Sequence, residues 1–447
     1  MYYKTTSFLV AGLQKSGVSA TKFLLERGAS VYIYDKRKTE QIQKNIQALE
    51  FLGAKIVDDY KKVVQDIDVL VISPGVPIDS DIAITYKKEG KRIIGELELG
   101  YTAINTPIIA VTGTNGKTTV CSMIHKSLEK SGIKSILAGN VGTPITLAVN
   151  EINASELCVL EVSSFQLETT YSFTPHVSIL LNLTPDHLDR HYSMENYSLV
   201  KSKILLPLKE SEFAVLNYDD ERVKEFSRIT KAKIIWFSAR EVVDGCYIDG
   251  DYVVYKGEEI IKLKDLSLKE PHNLENVLAT VCALKAVGVE SQQIRNSLSN
   301  FKGVKHRFET VCTVNGVTFI NDSKSTNPDS TLKAINSLDK NAVLIMGGSE
   351  KGLDYTSLFE SIKNSKFIKN TVITGSNSNS MLFYASKANL DGVITVKNFN
   401  DAVNTAYKLA SKNEVVLLSP GTSSFDEFNS FEERGERFVK IAKSLEE

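Results

Sequence analysis

The chain has no excess of charge of either sign, no long apolar run, and cysteines too few and scattered to form a framework. Lys and Arg number 53 against 54 Asp and Glu, a formal net charge of -1. A large nucleic-acid footprint usually shows as a basic excess, so the balance argues against that class, whereas it leaves room for a local basic site for a small phosphorylated ligand. The five cysteines, Cys121, Cys158, Cys246, Cys282 and Cys312, are odd in number and none are spaced C-x-x-C. That argues against a disulfide framework and a structural zinc site, and for reduced thiols packed in cores. No apolar run approaches the roughly 18 residues of a membrane span. The opening MYYKTTSFLVAGLQKSG passes straight into a strand-and-glycine pattern without a signal-peptide layout. The expectation is a cytoplasmic protein with neither membrane nor nucleic acid as partner. Low-complexity tracts and short internal repeats are also missing.

What is present is an ordinary globular composition, 42% hydrophobic and 24% charged over 447 residues. Domains of about 100–200 residues give a prior of two to four. Apolar strands alternate with helical stretches almost throughout, the mark of α/β layering. Three blocks separate: about 1–100, 101–302 and 303–447. In the first, Ser7–Ala11, Val31–Tyr34 and Val69–Ile72 read as strands, with a helix in VSATKFLLERG. In the second, IIAVTG after Pro107, Cys158–Val162, Val177–Asn182 and Lys233–Phe237 do so. In the third, Val317–Asn321, Val343–Met346, Thr371–Thr374 and Val415–Ser419 lead into turns and helices, an open doubly wound sheet.

The strongest local signal is Ile109-Ala110-Val111-Thr112-Gly113-Thr114-Asn115-Gly116-Lys117-Thr118-Thr119. A β-branched strand runs into a glycine turn and a helix opening on Lys-Thr-Thr. Glycine allows successive N–H groups to turn inward, and the helix N-terminus adds partial positive charge. Lys117 can then reach terminal phosphates and Thr118 can meet Mg²⁺. Val111 stands where the general phosphate-loop pattern has its first glycine, so the loop is a variant built on Gly113 and Gly116.

Gly12-Leu13-Gln14-Lys15-Ser16-Gly17 resembles a dinucleotide fingerprint, but Gln14 replaces the middle glycine that lets a pyrophosphate approach the backbone. Asp35, closing the second strand, stands where an acid often meets a ribose or base. A nucleotide-free Rossmann-like domain stays open on these residues alone.

Glu161 ends CVLEV and precedes Ser163-Ser164-Phe165-Gln166. A carboxylate at the carboxyl end of a parallel strand faces the ligand crevice and suits Mg²⁺ shared with ATP. Asn182-Leu183-Thr184-Pro185-Asp186-His187-Leu188-Asp189-Arg190-His191 follows another strand and could hold a second metal. Each of these is equally readable as an ordinary loop polar group. Lys201 and Lys203, on the helix-like YSLVKSKILL, read first as a solvated face. In the third block, Arg307 of HRFE could fork onto phosphate oxygens. Asn321–Pro328, Gly347–Gly352 and Leu418–Asp426 lie at strand ends and should collect on one sheet edge, suiting an anionic small molecule.

With these residues assembled, the chain resembles the Mur ligase family over essentially its whole length. The resemblance runs through GLQKSG, the SPG at Ser73, GTNGKTT, GNVG, EVSSFQLE, LNLTPDHLDRH, PHNLENVLA, HRFE, NDSKSTNP and LSPGTSSFDEFNSFEERG. SSFQLE and the carboxyl-terminal SPG-x-x-SFD-x-F are similar to the D-glutamate-adding branch in particular. The resemblance implies an N-terminal Rossmann-like domain for a UDP group, a central P-loop ATPase domain with a mainly parallel sheet, and a C-terminal Rossmann-like domain for the amino acid. It implies ATP, with two Mg²⁺ ions, as cofactors. It implies UDP-N-acetylmuramoyl-L-alanine and D-glutamate as substrates, and a monomer. By matching motif, Gly113, Thr114, Asn115, Gly116, Lys117, Thr118, Thr119, Asn273, Arg307 and Asp322 serve ATP, and Thr118, Glu161, His187 and Lys201 the metals. Lys201 matches a lysine carbamylated in the family. Lys117, His187, Lys201 and Arg307 are the catalytic candidates. Leu13, Gln14, Asp35, Lys36, Ser73, Asn140, Ser163 and Gln166 would meet the UDP-muramoyl substrate, and Lys324, Thr326, Lys351, Ser424 and Phe425 the D-glutamate. Two rivals stay open: a ligase of the same fold with a different amino acid or substrate, and a P-loop switch whose ATP hydrolysis moves a partner.

Overall fold

β-branched residues dominate the strands, and their alternation with amphipathic helices produces three separate sheets. The computed structural model describes residues 2–140, 142–268, 271–350 and 352–446. The first sheet holds β1 (Ser7–Ala11), β2 (Ser30–Tyr34), β3 (Lys55–Ile56), β4 (Val69–Ile72) and β5 (Arg92–Gly95) in the order 3-2-1-4-5. All its pairings are parallel. Helices cover both faces, so β1 and β4 read as continuous apolar runs. Phe8 and Val10 pack towards Phe23, Leu24 and Ile46, while Leu9 and Ala11 pack towards Ile82 and Tyr86. Strand order reverses between β1 and β4, and the loops leaving these two strands open a crevice.

The second sheet holds β6 (Ile108–Thr112), β7 (Ser135–Gly139), β8 (Leu157–Glu161), β9 (Val177–Leu180), β10 (Phe213–Asn217), β11 (Lys233–Ser238), β12 (Gly245–Asp249), β13 (Tyr252–Tyr255) and β14 (Glu258–Lys262). Their order is 14-13-12-11-10-9-6-8-7. Pairing is parallel from β7 across to β12, and β12, β13 and β14 form an antiparallel meander at one edge. β6 lies between β8 and β9 and every one of its residues is buried. The carboxyl ends of β6, β8 and β9 therefore deliver the phosphate loop, Glu161 and Asn182 to one place.

The third sheet holds β15 (Glu309–Val314), β16 (Val317–Asn321), β17 (Ala342–Gly347), β18 (Ile368–Thr374), β19 (Val393–Thr395) and β20 (Val415–Leu418) in the order 15-16-20-17-18-19. Only β15 runs antiparallel to its neighbour. The chain forms two compact units: one carries the first two sheets and ends at Phe301, the other carries the third sheet from Lys302 onward. Within the first unit, Glu96 accepts the Thr146 N–H and hydroxyl, each at 2.7 Å, and Ser19 bonds Thr146 at 2.7 Å, joining the helices beneath the two sheets. Among the described residues no helix is long and apolar enough to cross a membrane.

Candidate active site

The phosphate loop is shaped by its glycines and held from behind. Gly113 (φ 146°) and Gly116 (φ 90°) adopt angles that favour glycine, and a Cβ on Gly116 would meet Asn276 Oδ1 at 2.2 Å. Asn182, just beyond β9, clamps the loop. Its Oδ1 accepts the Asn115 N–H at 2.9 Å, its Nδ2 donates to Asn115 O at 3.2 Å, and its carbonyl accepts the Thr114 N–H at 2.9 Å. The Thr114 hydroxyl lies 3.0 Å from both Thr184 O and the Tyr197 hydroxyl. Thr118 and Thr119 sit in the first turn of the helix Lys117–Lys130, where N–H groups lack intrahelical acceptors and favour an anion.

Two lysines converge on one carbonyl. Lys117 Nζ donates to Gly113 O at 2.9 Å and Thr114 O at 2.7 Å, and Lys201 Nζ donates to the same Gly113 O at 2.8 Å. Lys201 lies on the helix Met194–Ser202 and is 2% exposed, not on a solvated face. Its ammonium stands 4.9 Å from the Tyr197 ring, one helical turn away. Burial and the neighbouring Lys117 charge hold its pKa well below the usual lysine value, against the opposing pull of Asp186 and Glu161. A buried amine held towards neutrality is the form that adds carbon dioxide.

Glu161 joins the loop to the neighbouring cavity. It is buried, accepts the Thr118 hydroxyl at 2.6 Å on Oε2 and the Asn140 amide at 2.9 Å on Oε1. A hydroxyl and a carboxylate side by side are hard oxygen donors, which suits Mg²⁺ completing its shell with phosphate oxygens and water. Among the described residues no group of three His, Cys, Asp or Glu is arranged to hold a metal by protein ligands alone. His187 (φ 53°) opens the short helix Leu188–His191; its Nε2 lies 3.6 Å from Asp186 Oδ2 and its ring 4.8 Å from Phe165. Asn273 is buried on the helix Pro271–Ala286, with its Oδ1 accepting from Asn276 Nδ2 at 3.1 Å, beside the loop at Gly116.

Two cavities open at the first sheet's switch point. One of about 610 Å³ is lined by residues that include Gln14, Asp35, Lys36, Arg37 and Ser73. The other, about 210 Å³, is shared by Gln14, Lys15, Ser16, Ser73, Asn140 and Gln166. Six of the eight residues assigned to the UDP-muramoyl substrate thus fall in the walls of these cavities, Asn140 and Gln166 at the second only. Leu13 lines neither: its side chain is fully buried and its N–H donates to Asp35 Oδ2 at 2.7 Å. Burial raises the Asp35 carboxyl, but bonds from Arg37 and Leu13 outweigh it and hold the group below the ordinary carboxylate value. Ser163 and Gln166 form a reciprocal cap on the helix Ser164–Leu167.

In the second unit, the loops after β16, β17 and β20 meet as the parallel order requires. Asp322 is fully buried and accepts the Phe308 N–H at 3.1 Å, the Ser419 hydroxyl at 2.8 Å and the Ser325 hydroxyl. Burial raises its carboxyl, opposed first by Arg307. Arg307 Nε is buried without a partner among the described residues. Lys324 places its ammonium 4.9 Å from the Phe431 ring, Thr326 is half-buried on the same loop, Ser424 is buried, and Phe425 stands 72% exposed. Lys351 lies outside the described residues. Arg434 was not singled out in the sequence. It is 1% exposed and reaches Ser323 Oγ and O, Thr422 O and Gly347 O at 3.0, 2.9, 3.1 and 3.4 Å. Arg37 and Tyr197 were also unmarked, and Asn182 was marked only as the start of a candidate metal segment, not as the clamp on the loop; of the unmarked residues Tyr197 alone carried a signal, its four-residue spacing from Lys201.

The fold and these loops define an α/β nucleotide-dependent protein with a phosphate loop at the centre of its middle sheet. Three family models match: the Mur ligase MurD-like N-terminal domain at residues 6–95, the Mur ligase middle domain at 111–284, and the Mur ligase glutamate ligase domain at 306–421. Curated relatives include the UDP-N-acetylmuramoylalanine--D-glutamate ligase of Pelotomaculum thermopropionicum, 38% identical over 98% of this chain and 97% of that one. The enzyme of the same name from Clostridioides difficile is 37% identical over the full length of both. The chain belongs to the Mur ligase family. Solved structures share the fold at low identity. UDP-N-acetylmuramate-alanine ligase MurC from Thermotoga maritima has a TM-score of 0.62 and 18% identity over 98% of this chain and 99% of that one. MurF ligase from Thermotoga maritima, in complex with ADP, has a TM-score of 0.61 and 16% identity over 100% and 99%.

Proposed function

We propose that this chain is an ATP-dependent ligase that joins D-glutamate to UDP-N-acetylmuramoyl-L-alanine, working as a monomer in cytoplasmic peptidoglycan precursor synthesis. Full-length similarity to ligases named for that reaction supports the substrates. The observation that carries the chemistry is the convergence of Lys117, Lys201, Thr118 and Glu161 at the phosphate loop.

A carboxylate is a poor electrophile, and condensing it with an amine in water is uphill. Coupling to ATP solves both. An oxygen of the L-alanyl carboxylate attacks the γ-phosphorus, the bond to the β-phosphate oxygen breaks, and ADP leaves. The amine of D-glutamate then attacks the acyl phosphate carbon, loses a proton, and inorganic phosphate departs with the C–O electron pair. Catalysis in both steps is placement and neutralisation of spreading negative charge. Gly113–Gly116 wrap the phosphates, with the Thr114 and Asn115 N–H groups tied back to Asn182, and the helix start at Lys117 turns its N–H groups towards them. Lys117 brings a cation to the terminal phosphates, and Arg307 and Asp322 serve the same nucleotide. Asn273 faces the base. Mg²⁺, when bound, neutralises phosphate oxygens; Thr118 and Glu161 would hold one ion, and His187 with a carbamate on Lys201 a second. The carbamate replaces a buried positive charge beside Lys117 with a negative one, turning repulsion into attraction. The cavities at Gln14, Asp35, Lys36, Ser73 and Asn140, with the backbone of Leu13, take the UDP-muramoyl group, and Ser163 and Gln166 flank the muramoyl end. Lys324, Thr326, Lys351, Ser424 and Phe425 hold D-glutamate.

Incubation with UDP-N-acetylmuramoyl-L-alanine, ATP, Mg²⁺ and single amino acids, followed by mass spectrometry, tests this. The expected product is the D-glutamyl amide with one ADP per bond. ADP release without any new amide would favour a switch; a product with another amino acid would move the chain elsewhere in the family.

A further inference from the structure

Arg190 is a long cation in an otherwise enclosed place: its side chain is 12% exposed and that of its partner Glu168 is 6% exposed. Its Nε donates to Glu168 Oε1 at 3.1 Å and its Nη2 to Glu168 Oε2 at 2.5 Å, a two-pronged pair. The same Nη2 also donates to Val76 O at 3.2 Å. The guanidinium carbon stands 4.9 Å from the centre of the Phe165 ring, which is itself 4.8 Å from the ring of His187. Glu168 in turn lies 3.6 Å from His191 Nδ1, and His191 Nε2 is 3.0 Å from the Ser164 hydroxyl.

One side chain thus touches three segments with different duties. Val76 belongs to the turn after β4 and lines the 610 Å³ cavity. Glu168 and Phe165 belong to the segment that starts at Ser163. Arg190 itself is three residues beyond His187. A second tie runs beside the first: the exposed Tyr192 donates its hydroxyl to Asp79, in the stretch after that same turn. A pair whose only task was to stabilise the loop would not need a third bond to a backbone carbonyl of another sheet's turn. An arginine can make all of these contacts at once because its donors are fixed in a plane; lysine cannot.

We infer that Arg190 is a positioning residue that couples occupation of the nucleotide cavity to the placement of the 163–168 and 186–192 segments. A nucleoside diphosphate that orders the turn at Val76 would, through this guanidinium, order the Phe165–His187 contact beside the phosphate loop. The energy of binding the remote uridylyl end is then used where the acid is activated. This inference rests on the assignment of that cavity to the UDP group.

Amide hydrogen exchange on the full chain, with and without uridine diphosphate alone, separates the two. In the wild type, uridine diphosphate is expected to slow exchange at 73–77 and also at 163–168 and 186–192, the latter by roughly fivefold if the coupling is at the low end of the usual range. In Arg190→Lys, slowing at 73–77 persists while slowing at the two distant segments is lost. Tyr192→Phe, whose side chain is exposed and cannot be needed for folding, loses part of it and decides the matter if Arg190→Lys does not fold. Slowing confined to 73–77 in the wild type, or distant slowing undiminished in both variants, overturns the coupling and leaves the cavity assignment standing. No slowing at 73–77 overturns both.

Discussion

Two ammonium groups share the carbonyl oxygen of Gly113, and the inner one, Lys201, has no water to spread its charge. Its protonated form therefore costs the fold free energy at any pH below the ordinary lysine value, and that cost vanishes only as pH rises through it. Carbamylation removes the cost by removing the cation. Bicarbonate is thus expected to raise the melting temperature of the wild type in the presence of Mg²⁺, by roughly 1–3 °C at tenfold saturation. Lys201→Ala shows no such rise and loses roughly 10–100-fold or more in phosphate release. An equal response of the two proteins to bicarbonate would sink the carbamate. Asp35 gives the opposite sign. Its carboxyl is depressed, so its contribution to the cavity proposed for the nucleotide is complete above the unperturbed value of 3.8 and fades as pH falls through the lower folded value. Affinity for uridine diphosphate, followed by calorimetry, is expected to hold from neutrality to about pH 4.5 and to fall in Asp35→Asn, where the Arg37 pairing loses its charge. At this scale the sequence was readable where a residue type is rare in its setting, as with Glu161 closing a β-branched strand. Lys201 was marked by the resemblance alone and not by its own spacing, because a lysine in YSLVKSKILL is indistinguishable from a surface one until the helix is packed.

At the level of elements, the phosphate loop was legible because strand, glycines and helix start occur in sequence order, while its support was not. Asn182 and Asn276 come from other strands and helices, and only packing brings them to Asn115 and Gly116. Gly116→Ala puts a Cβ against the Asn276 side chain at a left-handed φ, which costs about 1–2 kcal/mol. Were all of it taken from nucleotide binding, the ATP dissociation constant would rise roughly tenfold; an unchanged constant with unchanged stability would show that the loop has no such constraint. The meander β12–β14 escaped the sequence reading although its turns are marked: Gly250 and the pair Lys256-Gly257 all have positive φ. Its strands are short and mix polar with apolar residues without a regular alternation, and they lack the continuous apolar runs that reveal buried parallel strands. The segment EERGERF was equally opaque. Its first arginine, Arg434, lies among charged neighbours in sequence but turns inward to bind three loops. Replacing it with alanine strands those carbonyls and is expected to cost about 3–5 kcal/mol in the second unit, with a raised KM for D-glutamate and little change in uridine diphosphate affinity. Two-probe melting, one probe in each unit, would show whether the loss stays there.

The order of strands in each sheet decides which loops can cooperate across the whole molecule. Strand spacing alone indicated three α/β blocks, since each repeats strand, turn and helix. The insertion of β20 between β16 and β17, and of β6 between β8 and β9, was not deducible from spacing, because order within a sheet depends on crossovers that leave no local mark. Those insertions are what set Asp322 next to Ser419, and the phosphate loop next to Glu161. The residues assigned to ATP nevertheless stand on both compact units, with Lys117 and Thr118 on one and Arg307 and Asp322 on the other. In the proposed reaction these groups act on one nucleotide, and ligands are expected to select whichever arrangement of the units allows it. Small-angle scattering should therefore show a smaller radius of gyration with a non-hydrolysable ATP analogue, Mg²⁺ and UDP-N-acetylmuramoyl-L-alanine than without ligands. Arg307→Ala, which removes a charge proposed to serve the nucleotide, should reduce that change while leaving uridine diphosphate binding intact. An identical profile with and without ligands would mean that the two units do not rearrange for the reaction. A full change in Arg307→Ala would mean that another group on the second unit closes the contact.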